Sequence, residues 1–172
     1  MRFKDHFWFV LIFGALISCS SIHVQSDYDE EVDFTSYKTY LWLRVDKDKK
    51  PKLKNPLIER RVKRAINDEL IKKGLEIKKG GKPDLWITFH IGTSNKIDVT
   101  RYNYNPWKPR GGRTMIVDRY KEGTLIIDII DRKQKQLVWR GSATQMIQSG
   151  DVGGEAIKKA VTKILSEYPP QM

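Results

Sequence analysis

Groups able to do chemistry are sparse in this chain, and their spacing selects no catalytic set. The 172 residues include one cysteine and three histidines. His23 and His90 lie beyond the apolar N-terminus, and they belong to no His/Cys/Asp cluster with metal-ligand spacing. No metal and no cofactor are therefore expected. Ser142 and Ser149 lack the G-x-S-x-G sequence that exposes a nucleophilic serine. Asp84, Asp98, Asp118 and Asp128 are of the type that pairs for glycoside hydrolysis, but nothing in their spacing singles out two. Asp84, just ahead of a strand, reads as a turn residue. Gly150-Asp151-Val152-Gly153-Gly154 precedes a helix, as a phosphate cradle does. Glu155 already suits that positive helix end, however, and no Lys-Ser/Thr pair follows. The expectation is a non-catalytic protein; the alternative is a glycan-acting hydrolase using carboxylates that the sequence does not assign.

One segment does carry binding chemistry. Within residues 101–119, Arg101, Lys108, Arg110 and Arg113 are interleaved with Tyr102, Tyr104 and Trp107. Aromatic faces stack on sugar rings, and guanidinium forks match phosphates and carboxylates. Pro106, Pro109, Gly111 and Gly112 predict irregular backbone over residues 103–113, as in a binding loop. The plainer reading is a surface loop whose aromatics pack on one another.

Cys19 closes the run Leu16-Ile17-Ser18-Cys19, after a polar start with Arg2 and Lys4 and an apolar stretch over 7–17. That stretch falls short of the roughly 20 residues a membrane span needs and has the length of a secretory signal core. The run resembles the lipobox of bacterial lipoproteins. The resemblance implies diacylglycerol on the Cys19 thiol, cleavage before it, and a further acyl group on the new amino terminus; two or more chains anchor stably. Ser20 stands where an aspartate would retain a lipoprotein on the inner membrane, which in a Gram-negative cell implies the outer membrane, facing the periplasm. An incidental thiol after an ordinary signal is the plainer alternative, but it leaves an unpaired exported cysteine.

The chain then divides into residues 1–18 as signal peptide, 19–33 as lipidated N-terminus and short tether, and 34–172 as a single domain. Loss of Arg2, Lys4 and Asp5 with the signal lowers the net charge of +11 by one. A lone cysteine allows no disulfide framework, so packing must hold the domain. The positive balance favours acidic partners. Those expected are the membrane, through the acyl groups on Cys19, and an envelope protein or an anionic lipid or glycan. An exported lipoprotein has little access to nucleic acid, and none is expected. Dispersed lysines that merely keep the domain soluble are the plainer reading of the charge.

The elements that must position these groups follow from periodicity. Ile22, Val24 and Tyr28 suit a first strand, and the aromatic, β-branched stretch 37–45 a second. Asn55-Pro56 caps a helix whose Ile58, Val62, Ala65, Ile66 and Leu70 recur at three- and four-residue spacing, with Asn67 on the polar face. Gly74 ends it. Residues 75–78 read as a short strand. Over 84–91, Leu85, Ile87, Phe89 and Ile91 share one face and Trp86, Thr88 and His90 the other, and residues 96–102 continue this strand or pair with it. Residues 123–131 and 136–145 form a hairpin about Arg132-Lys133-Gln134-Lys135. Pairing Ile130 with Val138 sets Asp128 opposite Arg140, as a structural cross-strand pair, with Leu125, Ile127 and Ile129 beside Trp139, Gly141 and Ala143. A second amphipathic helix runs from 154 to the Pro169-Pro170 stop. This order predicts an α+β fold: a mostly antiparallel sheet with two amphipathic helices on one face.

The motifs together resemble a bacterial lipoprotein family catalogued as domain of unknown function 4136. They are Cys19, Asp27-Tyr28-Asp29, Val32-Asp33-Phe34, Tyr37-Lys38-Thr39-Tyr40, Pro83-Asp84-Leu85, Gly123-Thr124-Leu125-Ile126-Ile127-Asp128 and Leu137-Val138-Trp139-Arg140-Gly141-Ser142-Ala143, followed by a C-terminal amphipathic helix. The resemblance implies an α+β lipoprotein of the envelope and no particular reaction. The Tyr/Trp/Arg segment before Gly123 has no role in the family pattern.

Overall fold

The computed structural model describes residues 22–43, 55–104, 113–147 and 153–170, with side chains described outside 97–119. Local signals set the first helix, α1 (Pro56–Lys72). The Asn55 side chain accepts from Leu57 N at 2.9 Å, and proline takes the first turn, where its missing N–H costs nothing. Gly74 sits at φ +83°, while Gly74 N and Leu75 N donate to Ile71 O and Leu70 O, a Schellman ending. Val62, Ala65, Ile66 and Leu70 are buried. Asn67 is not on a solvated face: its Oδ1 accepts from the Tyr40 hydroxyl at 3.0 Å and from Trp42 Nε1 at 3.2 Å. Burial, then the charge of Asp68, raises the Tyr40 pKa to about 12, so this hydroxyl remains a donor at neutral pH.

Six strands form one sheet: β1 (His23–Tyr28), β2 (Thr39–Trp42), β3 (Glu76–Ile77), β4 (Leu85–Tyr104), β5 (Arg113–Asp131) and β6 (Gln136–Ile147), in the spatial order β1-β6-β5-β4-β2-β3. β2 is parallel to β3 and β4, because α1 supplies the crossover between them; the other pairings are antiparallel. The second helix, α2 (Gly154–Ser166), packs on α1 and on β6. The expected α+β architecture is the observed one. Inward residues Leu85, Ile87, Phe89, Leu125, Ile127, Ile129, Trp139 and Ala143 meet Val62, Ile66, Val161, Ile164 and Leu165 of the helices in one buried cluster.

Three expectations change. Residues 22–28, expected within the tether although suited to a first strand, belong to the domain: β1 pairs along β6 from His23↔Thr144 to Tyr28↔Trp139, and Ile22 is buried. Alternate residues Ile22, Val24 and Tyr28 give this segment an apolar face that the core absorbs. Ile130 pairs with Leu137, not Val138: the register shifts between Ile129 and Ile130. Val138 and Trp139 are both buried, and adjacent strand residues reach the same side only through such a bulge. Asp84 is more than a turn residue. Its Oδ2 accepts from Lys38 N (3.1 Å), Thr39 N (2.8 Å) and Thr39 Oγ1 (2.8 Å), clamping β2 to the start of β4. Nearby, Arg132 Nε donates to Pro83 O at 2.6 Å, and the Tyr37 hydroxyl to Asp131 Oδ2 at 2.9 Å.

Burial pushes the Asp84 pKa up, but the hydrogen bonds from Thr39 and Lys38 and the charge of Lys78 outweigh it and leave the pKa below 3.8. A folded pKa below the unfolded one means stabilisation present above the unfolded pKa and lost as pH falls through the folded value. Asp84→Asn should cost about 1–3 kcal/mol at neutral pH and flatten the loss of stability below about pH 4. Urea unfolding at the two pH values checks both. A Cβ on Gly141 would strike the Trp139 ring and Ile164 Cγ2. Gly141→Ala should cost about 1–3 kcal/mol, read as a lower urea midpoint at unchanged slope.

Candidate functional site

β4 and β5, of 20 and 19 residues, outrun the 12-residue β6. The last rung shared with β6 is Lys121↔Ile147. Beyond it, from Lys96↔Tyr120 to Tyr104↔Arg113, β4 and β5 pair only with each other among the described residues. They form an arm leaving the end of the sheet. The strand expected over 96–102 is present, with Arg101 opposite Ile116 and Tyr102 opposite Met115. Of the irregular stretch expected over 103–113, Asn103, Tyr104 and Arg113 are paired instead, and 105–112 lie outside the described residues. On the β5 side, Thr114-Met115-Ile116-Val117 carry strand propensity that the neighbouring Pro and Gly residues obscure. Trp107, Lys108 and Arg110 lie outside the described residues, as does Cys19. Asp98 faces Asp118, and the register shifts between Asp98 and Arg101.

At the base of the arm the two helices leave an apolar crevice of about 100 Å³ against the sheet, lined by Ile22, Ile91, Gly123, Ala143, Ala156 and Ala160 among others. Its room comes from small residues that face one another across the layer. That opposition, one glycine and three alanines on β5, β6 and α2, was the sequence signal for it.

On the sheet face away from the helices, Arg140 grips Asp128. Nε lies 2.6 Å from Oδ1 and Nη2 2.9 Å from Oδ2. The Asp128 hydrogen bonds, then its charge, raise the Arg140 pKa. His90 Nε2 is 3.5 Å from Asp128 Oδ2, and its side chain is exposed. Beside this charged row runs an apolar one: Leu41↔Trp86, Trp86↔Ile130 and Ile130↔Leu137 are successive pairs across β2, β4, β5 and β6. No group of three His, Cys, Asp or Glu among the described residues is gathered as a metal site. No helix among them is long and apolar enough to cross a membrane.

The Asp128 side chain is 5% exposed and that of Arg140 50%. This asymmetry gives unequal costs for removing either partner. Arg140→Ala should cost about 2 kcal/mol by stranding a buried carboxylate. Asp128→Ala should cost less, since the half-exposed guanidinium regains water. Urea unfolding of both variants checks the order.

Comparison with curated proteins gives no match. Among solved structures, the chain is similar to a PDZ domain protein from Parabacteroides distasonis, with TM-score 0.60 and 21% identity over 88% of this chain. The match spans only 37% of that protein's length. It is also similar to the PelC dodecamer from Paraburkholderia phytofirmans, with TM-score 0.51 and 11% identity over 85% of this chain and 96% of that one. At these identities the likeness is one of fold. The sequence itself matches a family over residues 24–170, covering every described element but the first residue of β1. The chain belongs to the family described as Domain of unknown function (DUF4136).

Proposed function

We propose that this chain is a bacterial lipoprotein and a non-catalytic binding or scaffolding module. In this reading Cys19 carries the acyl groups and the domain faces the periplasm from the outer membrane. The arm engages an envelope protein or an anionic lipid or glycan. The observation that carries the reading is the unflanked pairing of β4 with β5 beyond Lys121↔Ile147. A two-stranded ribbon is marginal in water alone, and this one carries the chain's densest mixture of basic and aromatic residues. Residues 96–121 hold seven lysines and arginines against two aspartates.

The carboxylates support the non-catalytic side of the proposal. Asp84 is taken up by Thr39 and Lys38, Asp128 by Arg140, and Asp131 by Tyr37 and Gln134 N. Each holds strands or a turn together, which leaves the hydrolase alternative without a free pair among these three.

Two variants test the proposal in cells. Cys19→Ser should move the protein from the membrane to the soluble fraction and abolish incorporation of labelled palmitate; unchanged attachment refutes the anchor. The combined substitution Trp107→Ala, Arg110→Ala and Arg113→Ala should keep the melting temperature and lose crosslinks to envelope material. Unchanged crosslinking removes the arm as the binding element.

A further inference from the structure

Strand register brings the chain's exit towards Cys19 to the same end of the sheet as the arm. His23 is opposite Thr144, Thr144 opposite Thr124, and Thr124 opposite Gly92. Moving back from His23 towards Cys19 therefore follows the same direction as moving from Gly92 to Lys96 into the arm. Ile22 is buried in the crevice at this end. Cys19 lies three residues upstream of Ile22, a reach of at most about 11 Å. The described arm, from Lys96↔Tyr120 to Tyr104↔Arg113, is about 25 Å long. With Cys19 anchored as proposed above, the sheet end is held closer to the membrane than the arm is long, which puts the arm within reach of the head-group layer.

We propose that the arm binds the anionic head groups of the membrane that holds Cys19, attaching the domain at two points. The inference deepens the lipoprotein reading and rests on it for which membrane is meant. Charge complementarity selects the ligand. The described arm strands and their base carry Lys96, Arg101, Arg113, Arg119 and Lys121 against Asp98 and Asp118, with Glu122 held by Lys96 at 3.6 Å. Tyr102, Tyr104 and Tyr120 lie among them, a residue type that favours the membrane–water interface. At the same end α2 presents the exposed Lys158 and Lys159 next to its positive N-terminus. Basic residues held near an anionic surface add to one another's binding, and salt screens them together.

The test floats the full chain carrying Cys19→Ser with vesicles of phosphatidylcholine alone, or with phosphatidylglycerol added. The apolar segment 7–17 is present in both arms, so the difference between the vesicles reads charge. Phosphatidylglycerol should raise binding at least about tenfold, and high salt should remove the gain. The combined variant Lys96→Glu, Arg101→Glu, Arg113→Glu and Arg119→Glu should lose the gain while melting as the parent does. If that variant does not fold, Arg113→Gln and Arg119→Gln singly should each lower the gain severalfold. Equal binding to both vesicles, or a gain that survives these substitutions, overturns the proposal and returns the arm to a protein or glycan ligand. Because this chain lacks the acylated thiol, the result stands apart from the anchor itself, which Cys19→Ser tests in cells.

Discussion

The fold depends on one constraint: among the described residues, six strands are covered on one face only, by two helices. Every central strand must therefore keep its alternation in phase with its neighbours, since a slip of one residue exchanges the two faces. Leu85, Ile87 and Phe89 run in step with Leu125, Ile127 and Ile129, and these with Trp139, Gly141 and Ala143. Much else follows from holding that phase. Position 141 has to be glycine, because the Trp139 ring lies where a side chain would begin. The extra residue at Val138 is absorbed as a bulge near the hairpin turn, where it disturbs only the rungs Ile130↔Leu137 and Asp131↔Gln136. Asp84 fixes the phase of β2 against β4 across the parallel seam, where no tight turn could set it.

What the sequence discloses is what local chemistry decides. Asn55, Pro56 and Gly74 bracket α1 within the chain's own neighbourhood, so its ends are readable without the fold. Strict alternation over 85–91 and 125–129 is readable for the same reason. Asn67 is not: its polar side chain looks solvated until Tyr40 and Trp42 arrive from another strand. The clamp role of Asp84 likewise needs partners 45 residues away. The first strand of the arm was legible over 96–102; its partner was obscured, because two prolines and two glycines within 106–112 suggest irregularity up to Arg113, where pairing resumes. The crevice had only the weakest mark, small residues on elements whose facing could not be known.

The two ends of the sheet differ in how they are held. One is laced by Asp84, Asp131, Arg132 and Tyr37, each bridging segments remote in sequence. The other has the crevice, the arm and the N-termini of both helices, where the described residues pack chiefly through apolar side chains, with the Lys96–Glu122 pair beside them. Regions with few such ties open at low free energy and are where proteins place surfaces that must adapt. The cross-linked end and the apolar end thus lie at opposite poles of one small domain.

Asp128 and Arg140 have a consequence for how copies of the protein meet. Leu41, Trp86, Ile130 and Leu137 make a row of apolar side chains on a face without a helical cover. Such a surface invites a second sheet to stack on it and exclude water, the geometry of a dry zipper. Two rungs away, Thr88, Asp128, Arg140 and Asp27 cross the same face. Stacking there would strip solvent from a guanidinium that is half exposed and already committed to its carboxylate. The ion pair acts as a gatekeeper: it leaves the apolar row available for limited contact while making face-to-face aggregation costly.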